Sequence, residues 1–311
     1  MSAERVDPMT KCLLVSPRFP DLSYWNYREV CELFGARYPA APLGLVTAAA
    51  LLPQEWDFRL LDLNVREMDT AEIDRADIVM TGGMIPQQRS LLALIELCHA
   101  RGKRIVVGGQ DPTSQPEVYA AADYLVLDEG EMTIPKFLAD LNAGATRGIY
   151  RSEEDKPDVT QSPTPRFDLL DLTKYLHVGI QFSRGCPFNC EFCDIIELYG
   201  RKPRTKTSRQ VLRELECLQR LGYKGHVDFV DDNFIGNKKS VMAFLPDLLT
   251  WSRERGFPFY FSTEASLNLA DAPRLLAMME AVDVRLRQFE AIVDGLQAEA
   301  DALRTRVGAT A

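Results

Sequence analysis

The sequence predicts an α/β protein in two parts, a doubly wound parallel sheet over residues 11–148 and a shorter strand–helix succession over 177–283, with one amphipathic helix over 284–311 behind them. Three observations predict it. Short apolar runs alternate with helix-period stretches through the first half of the chain. The same rhythm resumes after a polar, proline-bearing segment. The last stretch then spaces Leu286, Phe289, Val293, Leu296, Ala300, Leu303 and Val307 three and four residues apart, with charged residues in most of the gaps.

In the first part, strand-like runs fall at 12–16, 58–62, 78–81, 105–108 and 124–127, and helix-like stretches at 42–52, 90–101 and 133–141. Five parallel strands with such crossovers fit a flavodoxin-like sheet, whose ligands bind beyond the carboxyl ends of the strands. The turns at those ends hold Asp62 and Asn64, Gly82 and Gly83, Gly108 and Gly109, and Glu129, Gly130 and Glu131. Paired glycines let a backbone approach a flat ligand closely; tight turns that merely link strand to helix would read the same way. Residues 1–10 form a polar tail. Residues 149–176, with Pro157, Pro163 and Pro165 and an acidic cluster, read as a solvated connector.

In the second part, strands are expected at 178–182, 227–234 and 259–263, with helices from Thr207-Ser208 to Gly222 and over 240–255. This is the pace of a β/α barrel, where functional groups gather at the carboxyl ends of strands. Asp231, Asp232, Asn233 and Glu264 sit at such ends. Capping the next helix, or simply facing water, is the plainer role for the two aspartates.

The 36 basic residues against 45 acidic, net charge −9, with no Lys/Arg block, argue against nucleic acid as a partner. The polar start lacks the apolar core of a signal peptide, and no run is long enough to span a bilayer. The cytoplasm is the expected home, and the seven cysteines are expected as thiols. Cys12, Cys98 and Cys217 sit among apolar neighbours and read as small buried hydrophobes.

Only Cys186, Cys190 and Cys193 cluster, in a C-x3-C-x2-C array directly after a strand-like run. Three soft thiolates suit an iron–sulfur cluster or zinc. Zinc sites usually gather two pairs of ligands, and no second pair exists here. A zinc knuckle completed by His177 is the alternative.

This cysteine spacing and its flanking residues resemble the signature of the radical SAM enzymes. From Lys11 to about Val282 the chain is similar to the cobalamin-binding radical SAM proteins, in particular the group that includes hopanoid methylases. The resemblance implies a cobalamin-binding first domain, a partial radical SAM barrel, and a [4Fe–4S] cluster held by Cys186, Cys190 and Cys193. It further implies reductive cleavage of S-adenosylmethionine to a 5′-deoxyadenosyl radical and methyl transfer to an unactivated carbon. Phe192, Asp231, Asp232, Asn233 and Glu264 are then candidates for S-adenosylmethionine, with Phe192 beside the adenine or plugging the cluster from beneath. Asp62, Asn64, Gly82, Gly83, Gly108, Gly109, Glu129, Gly130 and Glu131 are candidates for cobalamin.

Two departures stand out. Asn64 occupies the place where many B12 proteins put a cobalt-ligating histidine, so any bound cobalamin is expected to lack a protein imidazole ligand. Beyond Val282 the heptad-like helix replaces further barrel strands, as a truncated gene or shifted frame would produce, and its seam could pair two chains. The expected partners are a small-molecule or lipid substrate and an electron donor such as flavodoxin or ferredoxin. A cofactor-binding remnant or partner subunit without turnover, and a radical SAM enzyme that uses no cobalamin, are the competing readings.

Overall fold

The computed structural model describes residues 10–23, 26–152 and 156–282. The helix expected over 284–311 lies outside them. In chain order the elements are β1 (Lys11–Ser16), α1 (Arg28–Leu33), β2 (Tyr38–Ala40), α2 (Leu43–Leu51), β3 (Asp57–Asp62), α3 (Thr70–Arg75), β4 (Ile78–Gly82), α4 (Gln88–Ala100), β5 (Arg104–Gly108), α5 (Gln110–Ser114), β6 (Tyr124–Val126), α6 (Gly130–Asn142) and β7 (Gly148–Tyr150). The second part continues with β8 (Tyr175–Ile180), β9 (Ser183–Arg184), α7 (Ile195–Tyr199), β10 (Arg204–Thr205), α8 (Ser208–Arg220), β11 (Gly225–Phe229), α9 (Lys238–Glu254), β12 (Phe259–Thr263) and α10 (Pro273–Val282).

Alternation within each strand builds the first sheet. In β1, Leu13 and Val15 point to one helical layer, with Leu91, Leu94 and Ile95 of α4, while Cys12 and Leu14 point to the other, with Ala49 of α2 and Phe137 of α6. The sheet is wholly parallel in the order β3-β1-β4-β5-β6-β7. Its first five strands have the flavodoxin-like order, with the direction of winding reversing at β1. The short sixth strand, β7, straddles the boundary between the first part, 11–148, and the segment read as connector.

The second sheet has the order β12-β11-β8-β2, also parallel. Val178, Ile180, Val227, Phe229 and Phe259 face a core built with Val211, Leu215 and Leu218 of α8 and Phe244, Leu248 and Trp251 of α9. Three strands were expected here, and the fourth, β2, comes from the first part of the chain. Pro39 at its centre has no N–H to give and is tolerated because β2 is an edge.

The described residues of the segment, 149–152 and 156–176, pack in part against the rest of the protein instead of forming a solvated connector. Val159 and Phe167 are buried, and the Arg166 guanidinium stands over the Phe58 ring at 5.3 Å. Asp158 and Asp171 cap short 3-10 turns by accepting from the Thr160 and Thr173 amides. The prolines hold the path between those turns, and β8 already begins at Tyr175.

The glycines at the strand ends answer first to the sheet. A Cβ on Gly82 would lie 2.8 Å from the Gly108 carbonyl oxygen, and one on Gly108 would lie 2.6 Å from that of Val126. Gly108→Ala is expected to cost about 1–3 kcal/mol of stability, as overpacking against fixed backbone does, measured by urea unfolding.

Candidate functional site: a cysteine loop facing the carboxyl edge of the first sheet

The cysteine loop, residues 185–203, has a neck made by β9 and β10, which pair antiparallel, Arg184 with Arg204 and Ser183 with Thr205. Gly185 turns into the loop at φ +92°, where a Cβ would meet the Gly200 carbonyl oxygen at 2.7 Å. The Cys186 amide donates to Gly200 at 3.2 Å, and that of Cys193 to Cys190 at 3.2 Å. Cys190 is exposed, and Cys186 and Cys193 are half-buried. Among the described residues, no group of three or more His, Cys, Asp and Glu side chains is gathered to hold a metal. The fold puts the three thiols on one accessible loop without converging them. That donor set, three soft sulfurs reachable from solvent, fits an iron–sulfur cluster.

His177, the fourth ligand of the zinc alternative, instead packs its ring against His226, 5.1 Å between centroids, on the second sheet. Phe192 is 93% exposed and plugs nothing.

The strand-end acids divide by role. Asp231 is buried beneath the loop and accepts from the Phe182 amide at 2.9 Å and from the Ser183 amide and hydroxyl. Its carboxylate braces the chain that leads from β8 into the neck. Asp232 accepts from the Gly185 amide at 3.3 Å. The Asn233 side chain is bound to Ser266, accepting from its amide at 3.2 Å and donating to its hydroxyl at 3.1 Å. Asp231 and Asn233, expected to face the nucleotide, are thus committed to the protein's own backbone and loops. Glu264 is exposed.

A similar correction applies in the first part. Asp62, buried, accepts from the amide and side chain of Asn64 at 2.9 and 2.7 Å and from the Tyr175 hydroxyl at 2.8 Å. Asn64 also donates to the Pro17 carbonyl and accepts from the Phe19 amide, so it fixes the loop after β1. A Cβ on Gly109 would lie 2.9 Å from the Gly83 amide, and one on Gly130 would press Ile134 and Leu51, so these glycines serve packing as Gly82 and Gly108 do. Gly83 would press only the Gln87 side chain. On either side of the point where the winding reverses, Leu22 after β1 and Met84 and Ile85 after β4 expose apolar surface, and Leu22 is 99% exposed. An apolar, partly glycine-lined carboxyl edge fits the flat ring of a cobalamin.

Glu129 and Glu131, also expected at the cobalamin, turn instead to the neck of the cysteine loop. Arg184 donates to Glu129 at 2.8 Å and to Glu131 at 2.9 Å, and Arg204 donates to Glu129 at 2.7 Å. All four side chains are nearly dry, with exposures of 2% for Glu129, 7% for Glu131, 11% for Arg184 and 14% for Arg204. Burial alone would raise the Glu131 pKa, but the Arg184 hydrogen bonds and charge hold it below its usual value. The network joins the carboxyl end of β6 to β9 and β10. Beside it, Gln110 of α5 donates to the Tyr199 hydroxyl of α7 at 3.2 Å. In the sequence Arg184 is a residue flanking the cysteine array and Arg204 is one of several basic residues over 201–206, and nothing in either setting points to a buried acid in the first sheet.

The sequence also hid a polar row on the face of the second sheet opposite α8 and α9. His177, His226 and Tyr260 lie in register on adjacent strands, with Tyr260 stacked on His226 at 5.0 Å. His226 Nε2 meets the Ser262 hydroxyl at 2.6 Å, and that hydroxyl donates to Asp228. The Nε2 position of His226 therefore carries the proton. Burial and the neighbouring His177 lower the His226 pKa to about 4.

Two groups give opposite pH dependences. Burial raises the Asp231 pKa from 3.8 to about 7, against the three donors it accepts. The folded state then binds more protons than the unfolded chain in that window, and stability falls as pH rises through it. His226, lowered from 6.5 to about 4, makes stability rise with pH between those values. Urea unfolding across this range is expected to lose the falling component in Asp231→Asn and the rising one in His226→Phe.

Comparison with known proteins agrees with this geometry. A family model described as the B12 binding domain matches residues 35–138. An uncharacterized methyltransferase of Synechocystis is 51% identical over 271 residues, covering 86% of this chain and 50% of the relative. The hopanoid C-2 methylase of Rhodopseudomonas palustris is 36% identical over 285 residues, covering 90% of this chain and 54% of the relative. The chain thus spans about half the length of these curated relatives. Among solved structures, the cobalamin-dependent S-adenosylmethionine radical enzyme OxsB superposes with a TM-score of 0.59 at 20% identity, over 78% of this chain and 37% of that one. The radical S-adenosylmethionine methyltransferase TsrM of Kitasatospora setae gives 0.58 at 18% identity, over 78% and 51%. The chain thus contains a match to the B12 binding domain, is homologous over its described length to the group that includes the hopanoid methylases, and shares the fold of cobalamin-dependent radical S-adenosylmethionine enzymes.

Proposed function

We propose that this chain works in radical S-adenosylmethionine methyl transfer to an unactivated carbon, its cysteine loop holding a [4Fe–4S] cluster and its first sheet a cobalamin. When bound, the cluster supplies the electron that cleaves S-adenosylmethionine and the cobalamin supplies the methyl group. The observation that carries the reading is the placement of the cysteine loop, whose neck is pinned to the carboxyl end of β6, on the same edge as the apolar residues after β1 and β4.

Within that frame, Cys186, Cys190 and Cys193 would ligate the cluster as thiolates. Phe192 is free to lie against an adenine, and Asp232 and Glu264 are the strand-end acids left to meet polar groups of the nucleotide. Asp231 holds the strand exit rigid. The relatives include methylases of hopanoids and of bacteriochlorophyllides, so an apolar ring system is the favoured substrate class. A flavodoxin or ferredoxin would bring the electron.

A second reading, a cofactor-binding subunit without turnover, is favoured by one feature: β12 has no partner on its outer edge among the described residues. Reductive cleavage of S-adenosylmethionine separates the two.

Anaerobic reconstitution of the full chain is expected to give about four irons per chain, lost on substitution of any of the three cysteines by alanine. A colourless protein carrying zinc would remove the proposal. Formation of 5′-deoxyadenosine with a strong reductant supports the enzyme, and its absence from cluster-loaded protein supports the subunit.

Bound cobalamin is expected to show no histidine nitrogen splitting in its Co(II) EPR spectrum. Asn64 is closed into the loop after β1, and His99 pairs with Asp123 just ahead of β6, at the opposite end of the sheet. His177 and His226 lie in the second sheet.

A further inference from the structure

We infer that Glu129 and Glu131 are positioning residues for the cysteine loop: through Arg184 and Arg204 they clamp its neck to the first sheet, so that the order of the thiol-bearing loop depends on a fold that supplies none of its thiols. The neck has only two short strands, Ser183–Arg184 and Arg204–Thr205, too few ladder bonds to hold a loop of this length by themselves. What holds it comes from outside. Asp231 fixes the first strand from the second sheet, through the Phe182 and Ser183 amides. The arginines fix both strands from the first sheet, one on each.

The arrangement of donors explains why both acids are needed. Glu129 receives both arginines, with Arg184 on one oxygen at 2.8 Å and Arg204 on each oxygen, at 3.1 and 2.7 Å. It therefore ties the two neck strands to one point. Arg204 also donates to the carbonyls of Pro157 and Tyr199, at 2.7 and 3.0 Å, and so reaches the end of α7 inside the loop. Glu131 shares Arg184 Nη1 with Glu129, meets Arg184 Nη2 with its other oxygen, both at 2.9 Å, and accepts from the Ser162 hydroxyl at 2.5 Å. Two acids and two bases close a neutral set out of water, in which each charge depends on the others for solvation. Neither acid lies in the cysteine loop, yet removing one would leave a neck arginine buried with reduced pairing.

The cofactor consequence rests on the proposed function; the clamp itself does not. Hydrogen–deuterium exchange on the full chain as purified, comparing wild type, Glu129→Gln and Glu131→Gln, tests the clamp. Amides of 185–203 are expected to exchange about tenfold or more faster in Glu129→Gln, and by a smaller factor in Glu131→Gln, with β1, β4 and β5 unchanged. Unchanged exchange across 185–203 in both variants overturns the inference. Should Glu129→Gln exchange globally, Glu131→Gln decides alone, because Arg184 keeps Glu129 there. In protein reconstituted with iron and sulfide, Glu129→Gln is further expected to lose iron to a chelator faster than wild type and to alter the EPR spectrum of the reduced cluster with S-adenosylmethionine added. If wild type holds no iron the proposed function fails, and the exchange result still stands or falls independently. Identical iron loss and spectra in cluster-loaded wild type and variant would overturn the positioning role.

Discussion

The carboxyl end of the first sheet and the two-stranded neck of the cysteine loop are held together by a buried, neutral set of two arginines and two glutamates. Charges so dry are stable only when mutually satisfied, since each alone would carry the desolvation cost of an ion in a poor solvent. That requirement makes the contact between the halves specific: Arg184 and Arg204 must leave the neck of the cysteine loop at one place and meet Glu129 and Glu131 at the head of α6. It is reinforced by a covalent crossing, because β2 belongs to the first part of the chain and pairs with β8 of the second, and by the Tyr175–Asp62 hydrogen bond. The two halves are thus not beads on a tether.

A second regularity follows from burial. Polar residues at strand ends look like ligand-binding groups, but a buried donor or acceptor must find a partner whether or not a ligand is present. Asp231, Asn233, Asp62 and Asn64 find theirs in backbone amides, hydroxyls and one another. They make the carboxyl ends of the strands in both sheets rigid. Cys190, Phe192, Glu264, Leu22 and Ile85, by contrast, stay exposed.

The face of the second sheet turned away from its helices is built differently from the rest. Its row of His177, His226 and Tyr260, and the Asp228–Ser262–His226 chain above it, put neutral imidazoles on a half-buried surface beside a carboxylate. The strand β11 appeared in the sequence as an apolar run because Val227 and Phe229 dominate it. Its period-two partner set, His226 and Asp228, emerges only once the strand is paired, and marks a sheet with one dry face and one wetter one.

The sequence alone determined what depends on neighbours along the chain. Hydrophobic period placed the longer strands and helices of both parts, because such an element must bury one side wherever it finally packs, while the short α1, α3, α5, α7, β9 and β10 went unread, and the spacing of Cys186, Cys190 and Cys193 marked the cysteine loop. Tertiary structure decided what depends on residues far apart. The three-residue strands β2 and β7 carry too little pattern to be seen and exist because a longer strand offers them an edge. Residues 156–176 are held in place because a few apolar side chains, Val159 and Phe167, find a core laid down by other elements. Glu129 and Glu131 are paired with two arginines more than fifty residues away, and charge pairing over such separations leaves no trace in local composition.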